Sequence, residues 1–214
     1  MINSNLNPHQ NQQVAVGGTD LQKAKAAVIM VHGRGATADS ILTLAAEFGQ
    51  PDIAYLAPQA ADNTWYPYSF LAPMTQNSPG ISSGLMALQN VMDKIEQAGI
   101  SQEKIVLLGF SQGACLATEF AARNASRYGG VVGLSGGLIG PDDTPRDYEG
   151  FMQDTPVFLG CSDIDSHIPV ERVHLTAEVF ENLGAKVTKR IYEGMGHTVN
   201  QDELEFVAEL LGSL

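Results

Sequence analysis

Ser111 stands where a nucleophile could be built. In KIVLLGFSQGACLATEF, residues 104–120, it lies between a strand-like and a helix-like segment, with Gly109 and Gly113 two residues to either side. A serine held at a sharp strand-to-helix turn takes a strained backbone, so bulky flanking residues are excluded and a helix must follow at once. The pattern Gly-x-Ser-x-Gly does not select Ser111 by itself, because it recurs around Ser82 (Gly80, Gly84) and Ser135 (Gly133, Gly137). Context separates them. Residues 105–108 are a continuous apolar run of the kind buried on both faces, and residues 114–124 are alanine-rich without proline. Ser82 follows the turn-like Gln76-Asn77-Ser78-Pro79. Ser135 follows a strand-like stretch, but Gly136, Gly137 and Pro141 after it do not open a helix. The competing structural reading of Ser111, glycines that only allow a strand and a helix to pack closely, requires no partner for the hydroxyl.

A serine hydroxyl near neutral pH needs a base beside it and a carboxylate to hold that base in the right tautomer. Three other strand ends supply polar residues: His32-Gly33-Arg34-Gly35, Asp163-Ile164-Asp165 and Gly194-Met195-Gly196-His197. Among the histidines, His9 falls in a polar N-terminal stretch, His174 in a predicted helix, and His32 before a glycine turn where it would tie loops together. His167 is the competitor, but it lies two residues past Asp165, too close for an easy acid–base–nucleophile line. His197, in a glycine-flanked loop, is preferred. For the acid, Asp163 adjoins its strand end and could serve the turn's own hydrogen bonds. Asp165 lies further out, ahead of Pro169, which is suited to start a helix, and is preferred. The chain order Ser111, Asp165, His197 is that of an α/β-hydrolase.

The elements that must position these residues alternate along the chain. Strand candidates are residues 27–31, 53–57, 105–108, 130–134, 157–160 and 186–192, with 14–16 as an antiparallel edge. Between them run helical periodicities: Ile81, Leu85, Leu88, Met92 and Ile95; Ile41, Leu44, Ala45 and Phe48; Leu204, Val207, Ala208 and Leu211. The fold class is therefore α/β, a mostly parallel sheet with helices on both faces, whose chemistry gathers at the carboxyl ends of the strands. Residues 136–156 are too few for a large cap domain. The division expected is a polar tail over residues 1–13, rich in asparagine and glutamine, and one catalytic domain over 14–214.

Composition excludes several partners. A net charge of −12 over 214 residues disfavours nucleic acid, which demands a basic face, and anionic membrane surfaces. No stretch approaches a membrane-spanning length, so stable membrane insertion is not expected. Cys115 and Cys161 lack metal-ligand spacing and read as small buried apolar residues. The N-terminus carries neither a basic start nor an apolar stretch, and the expectation is a cytoplasmic protein. No motif speaks for or against homo-oligomerisation.

The segments HGRGA, GFSQGA, LSGGL, DIDSHIP and YEGMGH, in this order from about Ala26 to the C-terminus, resemble the phospholipase/carboxylesterase family of small α/β-hydrolases, which includes the acyl-protein thioesterases. The resemblance implies an α/β-hydrolase fold and ester or thioester hydrolysis. It also implies Asp165 as the acid, the second aspartate of a D-x-D segment, and His197 of GMGH as the base. In one respect the chain departs from the pattern: relatives often have a small apolar residue after His-Gly, where this chain has Arg34.

With Ser111 attacking a carbonyl, the backbone N–H groups of Gln112 and Arg34 are the expected oxyanion hole, a role in which their side chains would be replaceable. No cofactor or metal is required. The loop NTWYPYSFLAPM, residues 63–74, concentrates aromatics outside any regular element. Trp65, Phe70 and Leu71 there either wall an apolar acyl or aryl pocket or plug the sheet edge. The substrate expected is a small or medium acyl ester, with thioesters and lysophospholipids open. From another functional class, a non-catalytic small-molecule receptor on a hydrolase fold would tolerate loss of the serine, acid or base.

Overall fold

The computed structural model describes residues 7–214. Its frame is a seven-stranded sheet in the order β1-β3-β2-β4-β5-β6-β7, built from β1 (Val14–Gly18), β2 (Ala26–Val31), β3 (Ile53–Pro58), β4 (Ile105–Phe110), β5 (Gly130–Leu134), β6 (Pro156–Ser162) and β7 (Lys186–Tyr192). β1 pairs antiparallel with β3, and every other pair is parallel. This is the α/β sheet that the sequence pattern predicts and the α/β-hydrolase architecture that the family resemblance implies.

The central strands are apolar without alternation because both faces are covered. Ala27, Ile29, Val31, Leu56, Ile105, Leu107, Val131 and Leu159 point into one core cluster, and Val28, Met30, Tyr55, Val106, Leu108, Val132 and Phe158 into the other, in the period-two register of a pleated strand. The first cluster is sealed by α3 (Gly80–Gln97), α4 (Gln112–Arg123) and α5 (Val170–Asn182), the second by α1 (Ala38–Leu42), α2 (Ala45–Phe48) and α6 (Gln201–Gly212). The periodic stretch ending at Phe48 is broken into α1 and α2, where the Thr43 hydroxyl bonds back to the Ser40 carbonyl. β1 and β7 have half-exposed faces, and β7 carries Lys186, Lys189 and Arg190, charges that discourage further pairing at a sheet edge.

The central helix α4 is buried from Gln112 to Ala122, so its polar side chains need partners. Glu119 takes Arg123 Nε at 2.7 Å, the Ile139 N–H at 3.0 Å and the Tyr148 hydroxyl, which pins the chain after β5 against the helix. That segment forms a short strap, with no large cap over the sheet.

Residues 7–13 differ from the loose tail that their polar composition suggests. His9 is 4% exposed; its N–H donates to Ser83 Oγ, its Nδ1 accepts from the Ala61 N–H, and its Nε2 meets the Trp65 carbonyl at 2.9 Å. The imidazole ring also packs edge-on against the indole. Residues 1–6 of that expected tail lie outside the described residues. Both cysteines are free and buried, and among the described residues no helix is long and apolar enough to cross a membrane.

Candidate active site

The turn from β4 to α4 sets the site. Ser111 has φ 56° and ψ −122°, a left-handed conformation costing on the order of 1–3 kcal/mol in a non-glycine residue, which persists because its surroundings allow nothing else. A Cβ on Gly109 would sit 2.3 Å from the Gly113 carbonyl oxygen, and one on Gly113 would sit 2.1 Å from that of Val31. Both neighbours are main chain, so the flanking glycines are obligatory.

The loop after β7 brings His197 over the serine. His197 Nε2 lies 2.8 Å from Ser111 Oγ, and Nδ1 lies 2.7 Å from Asp165 Oδ2. Burial would push the Asp165 carboxyl up, but its hydrogen bonds to His197 and to the N–H groups of His167 and Ile168 outweigh that and hold its pKa below the usual carboxylate range. An ionised Asp165 accepts from Nδ1–H, leaving Nε2 as the acceptor for the serine hydroxyl. The Phe110 ring lies 5.0 Å from the imidazole and the His167 ring 4.7 Å. Asp163 is a brace: its Oδ1 accepts the Gly194 N–H, while Ser162 Oγ accepts the Gly196 N–H. The loop carrying Asp165 thereby holds the loop carrying His197.

Gly33 packs against Ser111, its absent Cβ position 3.3 Å from Ser111 Cβ, so the turn carrying Arg34 runs beside the hydroxyl. The Gln112 N–H opens α4 and has no acceptor within the helix. The side chains of both residues hold the aromatic loop, contrary to the expectation that they are replaceable. Gln112 Oε1 accepts the Trp65 N–H at 2.9 Å and its Nε2 donates to the Tyr66 carbonyl at 2.8 Å; Arg34 donates to the carbonyls of Pro67 and Tyr68.

A cavity of about 620 Å³ opens over Ser111 and His197. Of the three residues expected in its wall, Phe70 lines it, fixed under the Arg172 guanidinium at 5.6 Å. Trp65 does not: its ring is fully buried between His9 and His32, with Nε1 donating to the His32 carbonyl, so it plugs the sheet end. Leu71 is half-buried against the core and is not part of the cavity lining. The wall is completed by Tyr66, Tyr68, Phe110 and Ile168. The signal for Phe110 and Ile168 is their position in the chain: one directly precedes Ser111 and the other follows Asp165 by three residues. Cys115 also lines the cavity, but burial pushes its thiol up to about 12, so it is no competing nucleophile. Among the described residues no cluster of histidine, cysteine or carboxylate side chains could hold a metal ion.

A sheet of this order with a strained serine at the end of β4 defines an α/β-hydrolase. The profile of the phospholipase/carboxylesterase family matches residues 12–214, and the chain belongs to that family. The crystal structure of a phospholipase/carboxylesterase from Dyadobacter fermentans is 42% identical, covering 94% of this chain and 96% of that one with a TM-score of 0.91. An acyl-protein thioesterase 1 of Saccharomyces cerevisiae is 27% identical over 89% of this chain and 93% of its own length. One from Gibberella zeae is 32% identical over 64% of this chain, and the match spans 59% of that relative's length.

Proposed function

We propose that the protein is a serine hydrolase that cleaves carboxylic esters and thioesters through an acyl-enzyme, with residues 14–214 acting as one catalytic domain. The observation that carries this reading is the hydrogen-bonded line from Ser111 Oγ through His197 to Asp165, 2.8 and 2.7 Å long, opening onto the cavity. His197 Nε2 takes the serine proton as Oγ attacks the acyl carbonyl, and Asp165 stabilises the resulting imidazolium. The proton then passes to the leaving alcohol or thiol. Water, deprotonated by the same histidine, hydrolyses the acyl-enzyme. The backbone N–H groups of Gln112 and Arg34 receive the oxyanion; one such donor is worth about 3 kcal/mol of barrier. The names of the thioesterase relatives support including thioesters. A receptor on this fold would gain nothing from an aligned proton path, which favours the enzyme.

A fluorophosphonate probe tests this. Mass spectrometry is expected to find the adduct on Ser111 in the wild-type chain and none in S111A. Labelling elsewhere, or a wild-type chain inert to both the probe and activated esters, overturns the reading.

A further inference from the structure

Among the described residues, Arg34 is the one arginine lining the cavity, and no lysine, aspartate or glutamate lines it. Its hydrogen-bond acceptors are neutral: Nη1 donates to the Pro67 carbonyl at 2.9 Å and to Thr64 Oγ1 at 3.5 Å, and Nη2 donates to the Tyr68 carbonyl at 2.7 Å. The guanidinium carbon lies 5.9 Å above the Tyr66 ring. No carboxylate among the described residues forms an ion pair with it. These contacts fix the head group but leave its charge uncompensated. They use three of the five guanidinium N–H donors and leave Nε–H and one Nη2–H, the number that a carboxylate takes in a bidentate pair. In a chain of net charge −12, this is a local positive site facing the cavity that also holds Ser111.

We infer that Arg34 is a specificity-determining residue and that the preferred substrates are esters bearing a second, anionic acceptor group, a carboxylate, which pairs with the free side of the guanidinium while the scissile carbonyl lies at Ser111. The inference rests on the esterase reading and adds a substrate class to it. A brace alone would not call for arginine, since a neutral donor could bond the same two carbonyls. Only the charge distinguishes an anionic ester from its neutral counterpart.

The test compares kcat/KM for two ester pairs. On the acyl side these are 4-nitrophenyl hemiglutarate and 4-nitrophenyl valerate; on the alcohol side, 4-acetoxybenzoate and 4-acetoxybenzamide. Each anionic-to-neutral ratio is measured for wild type, R34Q and R34K, so that intrinsic ester reactivity and any shared effect of a loosened loop cancel. In at least one pair the ratio is expected to fall ten-fold or more in R34Q and to be partly kept in R34K, and the pair that responds identifies which side of the ester carries the anion. Ratios that match wild type in R34Q for both pairs overturn the inference and leave Arg34 as a loop brace. A wild-type chain that hydrolyses none of the four esters removes the esterase reading, and the inference with it; turnover of any of them keeps the two failures distinct.

Discussion

Two neighbouring strands of the sheet end in the same way and do different things. β4 runs into Ser111 and β5 into Ser135, each within Gly-x-Ser-x-Gly, each with positive φ, 56° and 49°. Each serine N–H bonds to a carbonyl of the next strand, Ser111 to Leu134 at 2.9 Å and Ser135 to Gly160 at 2.7 Å. The backbone device is shared. What differs is the chain that follows and what the glycines touch. After Ser111 the chain enters α4 and leaves the hydroxyl facing His197. After Ser135, Gly136 passes under Ala114 and the strap dives into the core, so the Ser135 hydroxyl is buried beside the Cys161 thiol without a regular hydrogen bond. Strain at a strand end is therefore not the mark of a nucleophile; an accessible hydroxyl with a base is.

Substitution separates the two serines most strongly. S111A is expected to lower kcat/KM for an activated ester by at least about 10⁴-fold. S135A is expected to change it by less than about three-fold, since losing a poorly bonded buried hydroxyl is close to neutral. Comparable losses in both would erase the distinction. The flanking glycines give the next effect. G113A drives a methyl group into the Val31 and His32 carbonyls at 2.1 and 2.6 Å, whereas G137A meets side-chain atoms first, the Thr176 hydroxyl at 2.7 Å and Arg172 Cγ at 3.1 Å, and main chain only at 3.3 Å. In urea unfolding, a loss of about 3 kcal/mol or more is expected for G113A and about 1–2 kcal/mol for G137A. The reverse order would mean that the β5 turn is the less forgiving one.

The last effect, spread over a pH window, is a pH dependence on the Ser135 side. Glu203 Oε1 is buried without a partner against Gly160, whose carbonyl holds the Ser135 N–H, and burial raises its pKa from 4.5 to about 7. The folded chain thus keeps a proton that the unfolded chain releases, so this group's contribution to stability falls as pH rises from about 4.5 to about 7. The slope is at most about 1.4 kcal/mol per pH unit. Glutamine retains the capping geometry at the start of α6. Unfolding midpoints of E203Q and wild type are expected to diverge in favour of the variant across that window; parallel curves would count against a buried carboxylate.

Much of this arrangement could be read from the sequence, because the strands at its centre are continuous apolar runs and the polar residues stand just past their ends. Motif and chain order alone bring Ser111, Asp165 and His197 together. What escaped depends on partners remote in sequence. Trp65 reads equally as a pocket wall or as a plug of the sheet edge, because aromatics in a proline-bounded loop suit both, and nothing local reveals that His9 and His32 enclose it. Residues 7–13 read as a tail because asparagine and glutamine dominate there, yet His9 reaches groups more than fifty residues away. The side chains of Arg34 and Gln112 read as dispensable because the sequence argument reached only their backbone N–H groups.

The family match starts at residue 12, three positions past His9. A fragment trimmed to that boundary would keep Ser111, Asp165 and His197 and lose the side chain that bears on Trp65 and Ala61 from behind. Anyone shortening this chain for expression, or fusing a partner ahead of it, should place the cut by that histidine's contacts; homology alone puts it in the wrong place.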